Sequence, residues 1–152
     1  MKKNIKVAII GLGYVGLPLA RLFATKYPVV GFDIDKNRIS ELNKGIDSTL
    51  EIDEEILNEV LVKDLNDKGL FLTSEKKELE SCNYYVITVP TPVDKNHKPN
   101  LTPLVKASET VGSVLKIGDI VIYESTVYPG VTEEVCVPIL EKESGLVFNK
   151  DF

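Results

Sequence analysis

The chain is short of the residues that build several whole classes of protein. It has two cysteines, Cys82 and Cys136, in 152 residues. That is too few for a disulfide-stapled scaffold, and their spacing fits no metal-ligand pattern. Both read as reduced thiols, and no metal site is expected. The one histidine, His97, stands in the polar stretch Val93 to Pro99 with no nucleophile or carboxylate partner in a fixed frame. It reads as a solvated loop residue rather than a catalytic one. No apolar run approaches the roughly 20 residues needed to span a bilayer. Met1 to Asn4 passes straight into a short strand rather than a signal segment, so the default location is the cytoplasm. Net positive charge is absent too: at −5 the chain offers nucleic acid no broad electrostatic attraction.

What is present is an ordinary globular composition, 43% hydrophobic and 27% charged, in a length that fits one domain over residues 1–152 with a substantial core. No linker composition or internal repeat divides it. The organising stretch is Lys6 to Ile10, an apolar run, followed by Gly11-Leu12-Gly13-Tyr14-Val15-Gly16 and a helical pattern from Leu17 to Phe23. A lone G-x-G-x-x-G is a weak signal. Here it follows a buried-strand pattern and opens a helix, and Asp33 closes a second apolar run, Pro28 to Phe32, where the dinucleotide fingerprint places its acid. Each position has its own reason. Gly11 permits the tight turn, Gly13 lets a pyrophosphate approach the backbone, and Gly16 lets helix and sheet lie close. The free amides and dipole at the helix start face the phosphates. Asp33 accepts from a ribose diol and repels a 2′-phosphate, which selects NAD over NADP.

In chain order, the patterns predict strand one at about 5 to 10 and a helix at about 14 to 26 with Val15, Leu19, Leu22 and Phe23 facing inward. Asp35 opens a second helix through Leu42, ended by a left-handed Gly45. Arg38 falls one turn into it, beside the adenosine end; it either stacks on adenine or reaches the ribose, or shares a solvated face with Lys36. Asp53 to Leu61 is an added amphipathic helix with Ile56, Leu57, Val60 and Leu61 as its apolar stripe, and Leu70 to Thr73 is strand three. Glu75 to Ser81 is a short polar helix, and Tyr84 to Val89 is strand four. Pro90 and Pro92 stiffen the exit of that strand and present the Thr91 hydroxyl to a cofactor, before a polar loop that reads as mobile. Thr102 caps a helix with Pro103 at its first position. Asp119 to Glu124 is strand five, which delivers Ser125 and Thr126 to the same edge, either as cleft hydroxyls or as caps of the following turn.

Four segments together, Gly11 to Pro18, Asp33-Ile34-Asp35, Val89 to Pro92 and Glu124 to Gly130, resemble the amino-terminal domain of the UDP-glucose/GDP-mannose dehydrogenase family of nucleotide-sugar 6-dehydrogenases. Pro99 to Pro103 and Tyr123 to Glu134 are closest in wording to the branch acting on UDP-N-acetylhexosamines in surface-polysaccharide synthesis. The resemblance implies a Rossmann-type doubly wound parallel sheet of order 3-2-1-4-5, with the sixth strand absent or only begun at Val147 to Phe152. It implies NAD as cofactor, held by Gly11, Gly13, Tyr14, Val15, Gly16, Asp33, Arg38, Thr91 and Thr126. Thr126 would also order a catalytic water. It further implies a UDP-sugar substrate oxidised twice at C6, through an aldehyde held on a cysteine thiol, in a homodimeric or larger parent enzyme. The family's thiol, with its lysine, asparagine and glutamate partners, belongs to sequence beyond Phe152; Cys82 and Cys136 cannot replace it. The chain is therefore expected to bind cofactor without turnover, with an exposed edge inviting self-association. A hydroxyacid or 6-phosphogluconate type of Rossmann dehydrogenase, or a non-enzymatic NAD-sensing module, remains as an alternative.

Overall fold

A computed structural model describes residues 5–65, 67–93, 95 and 98–152. His97 and the middle of the Val93 to Pro99 loop lie outside the described residues. The five predicted strands are all present: β1 (Val7–Ile10), β2 (Pro28–Phe32), β3 (Gly69–Thr73), β4 (Tyr84–Ile87) and β5 (Ile120–Tyr123). They form one sheet in the order β3-β2-β1-β4-β5, and every pairing is parallel. Val7 sits between Val29 and Tyr84, and Ile10 between Phe32 and Ile87. All the strands therefore end on the same side, and the reversal of strand order falls between β1 and β4, where an open parallel sheet places its ligand.

The alternation of side chains along each strand sorts the core into two layers. Val7, Ile9, Val29 and Leu70 meet α1 (Gly16–Ala24), α2 (Lys36–Leu42) and α3 (Glu54–Asn58) on one face. Ala8, Ile10, Val30, Tyr85 and Ile87 meet the 3-10 turn Lys76–Ser81, α4 (Thr102–Gly112) and α5 (Val137–Ser144) on the other. A π-helical turn, Thr132–Cys136, leads into α5.

Two expectations about this scaffold, on the inner faces of α1 and α3, are corrected, and for the sixth strand one of the two alternatives holds. In α1 the buried positions are Gly16, Leu17, Ala20 and Ala24, while Val15 and Leu22 are exposed. The helix lies so close to the sheet that small residues form its inner face, and only Leu19 and Phe23 of the anticipated stripe pack at the margin of the core. In α3 Leu57 is buried and Ile56 faces out. Val147 to Phe152 begins no strand. It folds into turns in which the Val147 amide donates to the Asp151 side chain, the Asp151 amide donates to the Val147 carbonyl, and the Asp151 carbonyl accepts from the Gly118 amide. β5 is accordingly an edge strand, with Ile120 and Ile122 exposed.

Candidate functional site

The turn from β1 into α1 is held from behind and open in front. Gly11 adopts φ +97°, a left-handed conformation that disfavours any side chain. Behind the turn, the Thr88 hydroxyl at the end of β4 reaches the carbonyls of Gly11 at 2.7 Å and Ile10 at 3.1 Å. A Cβ on Gly16 would overlap the Gly11 carbonyl oxygen and come within 2.5 Å of that hydroxyl. A Cβ on Gly13 would meet nothing within 4 Å. Gly16 is therefore needed for the fold itself, whereas Gly13 faces vacant space at the mouth of the site. Among the described residues, the amides of Gly13, Tyr14, Val15 and Gly16 find no protein acceptor, while those of Gly11 and Leu12 are taken by Phe32 and Asp33. Consecutive free donors at a helix N-terminus make an anion cradle.

Asp33, just past β2, is fixed by two amides: Leu12 donates to its Oδ2 and Asp35 to its Oδ1, both at 2.9 Å. Each oxygen keeps a lone-pair direction for a diol. The carboxylate borders a cavity of about 500 Å³ whose near wall includes Gly11, Gly13, Ile34 and Arg38. The far wall is one face of α4, at Thr102, Pro103, Lys106 and Thr110. Sequence reasoning assigned α4 no site role. Its spacing of three and four residues along one helix face was the available signal.

Arg38 is neither solvated nor loose. Its side chain is 9% exposed, and it donates from Nε to the Leu12 carbonyl at 3.0 Å and from Nη2 to Asp47 at 2.7 Å. Ser48 and Thr49 hydroxyls take two further N–H groups. Burial by itself would raise the Asp47 carboxyl. Hydrogen bonds from the Thr49 hydroxyl, Arg38, and the Thr49 and Ile52 amides outweigh it and hold the group at about 2. The shared solvated face proposed for Arg38 and Lys36 is thus corrected for Arg38, whose edges are occupied and whose flank borders the cavity.

The β4 and β5 exits meet at the cleft rim. Thr91 donates its hydroxyl to the Thr126 carbonyl at 2.6 Å, and Ser125 donates to the Val89 carbonyl at 2.7 Å. This corrects the free presentation of Thr91: its hydrogen is committed, leaving only acceptor capacity. Ser125 likewise ties two strand ends together and caps no following turn. Thr126 is exposed. Tyr14 and Val15 border a second, more open groove with Glu124, outside the cavity that Asp33 lines. The helix cap also shifts: Asn100 Oδ1 accepts from the Thr102 amide, so Asn100 supplies the capping oxygen expected of Thr102.

Both cysteines are buried and free. Burial pushes the Cys82 thiol up to about 11 and raises that of Cys136 as well, which leaves neither as a nucleophile at neutral pH. Among the described residues no group of three or more His, Cys, Asp or Glu side chains could hold a metal ion. No helix among them is long and apolar enough to cross a membrane.

A parallel sheet of this order, free amides at the first helix start, open space at Gly13 and an amide-fixed acid after β2 together define a Rossmann-type dinucleotide-binding domain. The chemistry of these residues, amide donors for phosphates and a carboxylate for a ribose diol, fits a dinucleotide. Residues 5–152 match the NAD binding domain of the UDP-glucose/GDP-mannose dehydrogenase family, and the chain belongs to that family. NAD is its cofactor. The chain is 60% identical over 150 residues to the UDP-N-acetyl-D-glucosamine 6-dehydrogenase of Pseudomonas aeruginosa, covering 99% of this chain and 34% of that protein. It is 58% identical to the enzyme of the same name from Salmonella typhi, covering 98% and 33%. Among solved structures, an NDP-N-acetyl-D-galactosaminuronic acid dehydrogenase from Methanosarcina mazei aligns with a TM-score of 0.87 at 31% identity, covering 99% of this chain and 34% of that one. The chain thus spans about a third of the length of these relatives. Family membership sets aside the hydroxyacid and 6-phosphogluconate dehydrogenase types.

Proposed function

We propose that this chain is the cofactor half of an enzyme that oxidises the C6 alcohol of a UDP-N-acetylhexosamine to a carboxylate. The observation that carries the cofactor assignment is the pairing of four unpartnered amides, 13 to 16, with the Asp33 carboxylate across one turn. The choice of sugar rests on the relatives 58% to 60% identical to the chain, which are UDP-N-acetyl-D-glucosamine 6-dehydrogenases. NAD supplies the hydride acceptor. The chain's own contribution is to seat the pyrophosphate on the α1 amides and the adenosine ribose on Asp33. The Thr91 to Thr126 bond ties the β4 and β5 rims together, and the role we assign to Thr126, an exposed residue on that rim, is to order a water. Neither buried cysteine can carry an aldehyde between hydride steps, so the 152-residue chain binds NAD without oxidising sugar. In the whole enzyme, a homodimer or larger assembly, the reaction belongs to cytoplasmic polysaccharide-precursor synthesis, where NAD and UDP-sugars are both at hand.

A chimera tests the substrate assignment. This chain replaces the matching third of the Pseudomonas aeruginosa relative, and NADH absorbance is followed with a panel of UDP-sugars. Oxidation of UDP-N-acetylglucosamine or its mannosamine epimer ahead of UDP-glucose is the expected result. A folded, NAD-binding chimera that favours UDP-glucose would overturn the choice of sugar.

A further inference from the structure

Arg38 is the kind of residue that, at the adenosine end of a Rossmann site, accommodates a 2′-phosphate. In this chain it borders the same cavity as Asp33, yet its side chain is only 9% exposed and its head group is held inside the protein. Four of its donor contacts are spent inside the protein: Nε on the Leu12 carbonyl, Nη1 on Ser48, and Nη2 on Asp47 and Thr49. The anchor of this arrangement is Asp47, whose side chain is 1% exposed. Its Oδ1 accepts from Arg38, the Thr49 amide at 3.0 Å and the Thr49 hydroxyl at 2.6 Å. Its Oδ2 accepts from the amides of Glu51 at 2.8 Å and Ile52 at 3.1 Å. The carboxylate is therefore built into the loop after Gly45 and cannot follow Arg38 if the arginine moves.

A buried ion pair adds little net stability over an apolar pair of the same shape, so what this one contributes is geometry and charge cancellation. We infer that Asp47 is a specificity-determining residue for the cofactor: by holding Arg38 it withholds from a 2′-phosphate the cation that would otherwise bind it. The inference rests on the NAD reading of the site and deepens it. Discrimination against NADP then has two parts, repulsion by Asp33 and sequestration of Arg38 by Asp47. Asp47 needs no contact with cofactor for this. It acts through Arg38 and is a positioning residue.

The test is a set of calorimetric titrations of NAD and NADP against wild type, Asp47→Asn and the double variant Asp47→Asn/Arg38→Met, each checked for folding by thermal melt. Asp47→Asn keeps the volume but removes the charge that pins the guanidinium. NADP should bind it more tightly than it binds wild type, narrowing the NAD to NADP ratio by about tenfold, or about 1.4 kcal/mol. The gain should vanish in the double variant. Loss of packing alone could weaken both cofactors but could not strengthen NADP. Should Asp47→Asn fail to fold, Thr49→Val removes one of the four partners of Arg38 and should shift the ratio the same way by a smaller factor. An unchanged ratio in folded Asp47→Asn, or an NADP gain that survives loss of Arg38, would overturn the inference while leaving NAD binding by wild type intact. Wild type that binds no NAD would overturn the cofactor reading and this inference with it.

Discussion

Gly13→Ala separates binding from folding in a way that few substitutions in this motif can. Gly13 does not have a positive φ, and a Cβ built there meets no atom within 4 Å. Alanine is therefore tolerated in the free protein. By restricting the unfolded chain it should raise stability by roughly 0.4 to 1 kcal/mol. The same Cβ enters the space that a pyrophosphate crosses to reach the amides of residues 13 to 16. Two charge-assisted hydrogen bonds lengthened or lost, at about 1.5 kcal/mol each, weaken NAD by about 3 kcal/mol, or roughly a hundredfold. Gly16→Ala is the opposite case. Its Cβ collides with the Gly11 carbonyl and the Thr88 hydroxyl, both held in the core, and should destabilise the fold by about 3 kcal/mol. Urea unfolding read beside calorimetric NAD titration makes the comparison. Gly13→Ala that binds NAD like wild type would show that the phosphates do not pass over this turn. A Gly13→Ala variant as unstable as Gly16→Ala would refute the account of the turn's geometry.

Three further outcomes follow from the same structure. Asp33→Ala removes the ribose acceptor and the partner of the Leu12 and Asp35 amides, so titration should show NAD weakened about tenfold or more and the gap to NADP narrowed; equal NAD affinity would free Asp33 of that role. Asp47 is held at about 2 against an ordinary 3.8, so it stabilises the fold by about 2 kcal/mol above pH 4 and loses that as pH falls from about 4 to 2. Acid titration of Asp47→Asn should accordingly show a shallower loss of stability over that interval than wild type. Cys82 and Cys136, buried and with raised pKa values, should resist a thiol reagent at pH 8 in the native chain and both react in denaturant; fast labelling of either in the native state would contradict their burial.

The five strands, the backbone reasons for Gly11 and Gly16 and the position of Asp33 at the end of β2 were legible because strand, turn and acid are spaced by the backbone itself, and the sheet order followed from the resemblance. What stayed hidden depended on contacts between distant segments. The inner face of α1 was misread because hydrophobicity selects Leu22 and Val15, whereas close approach to the sheet selects Ala20 and Ala24. Asp47 stood in a loop with no periodicity, and only the fold brings it under Arg38. Thr91 seemed free from its flanking prolines alone. The adjacency of β4 and β5 hands its hydrogen to Thr126. The terminal segment was assigned by its place in the alternation of strands and helices, while the Asp151 side chain and carbonyl draw it into a turn against Gly118.

The central claim is that the α1 amides and Asp33 form a working NAD site within these 152 residues. Calorimetric titration of the purified chain with NAD and with NADP, followed by UDP-N-acetylglucosamine while absorbance at the NADH band is recorded, tests it most directly. The account predicts saturable one-to-one NAD binding, weaker NADP by about a decade or more, and no NADH. Absence of NAD binding, NADP bound as tightly as NAD, or sustained NADH production by chain free of any full-length enzyme would contradict it.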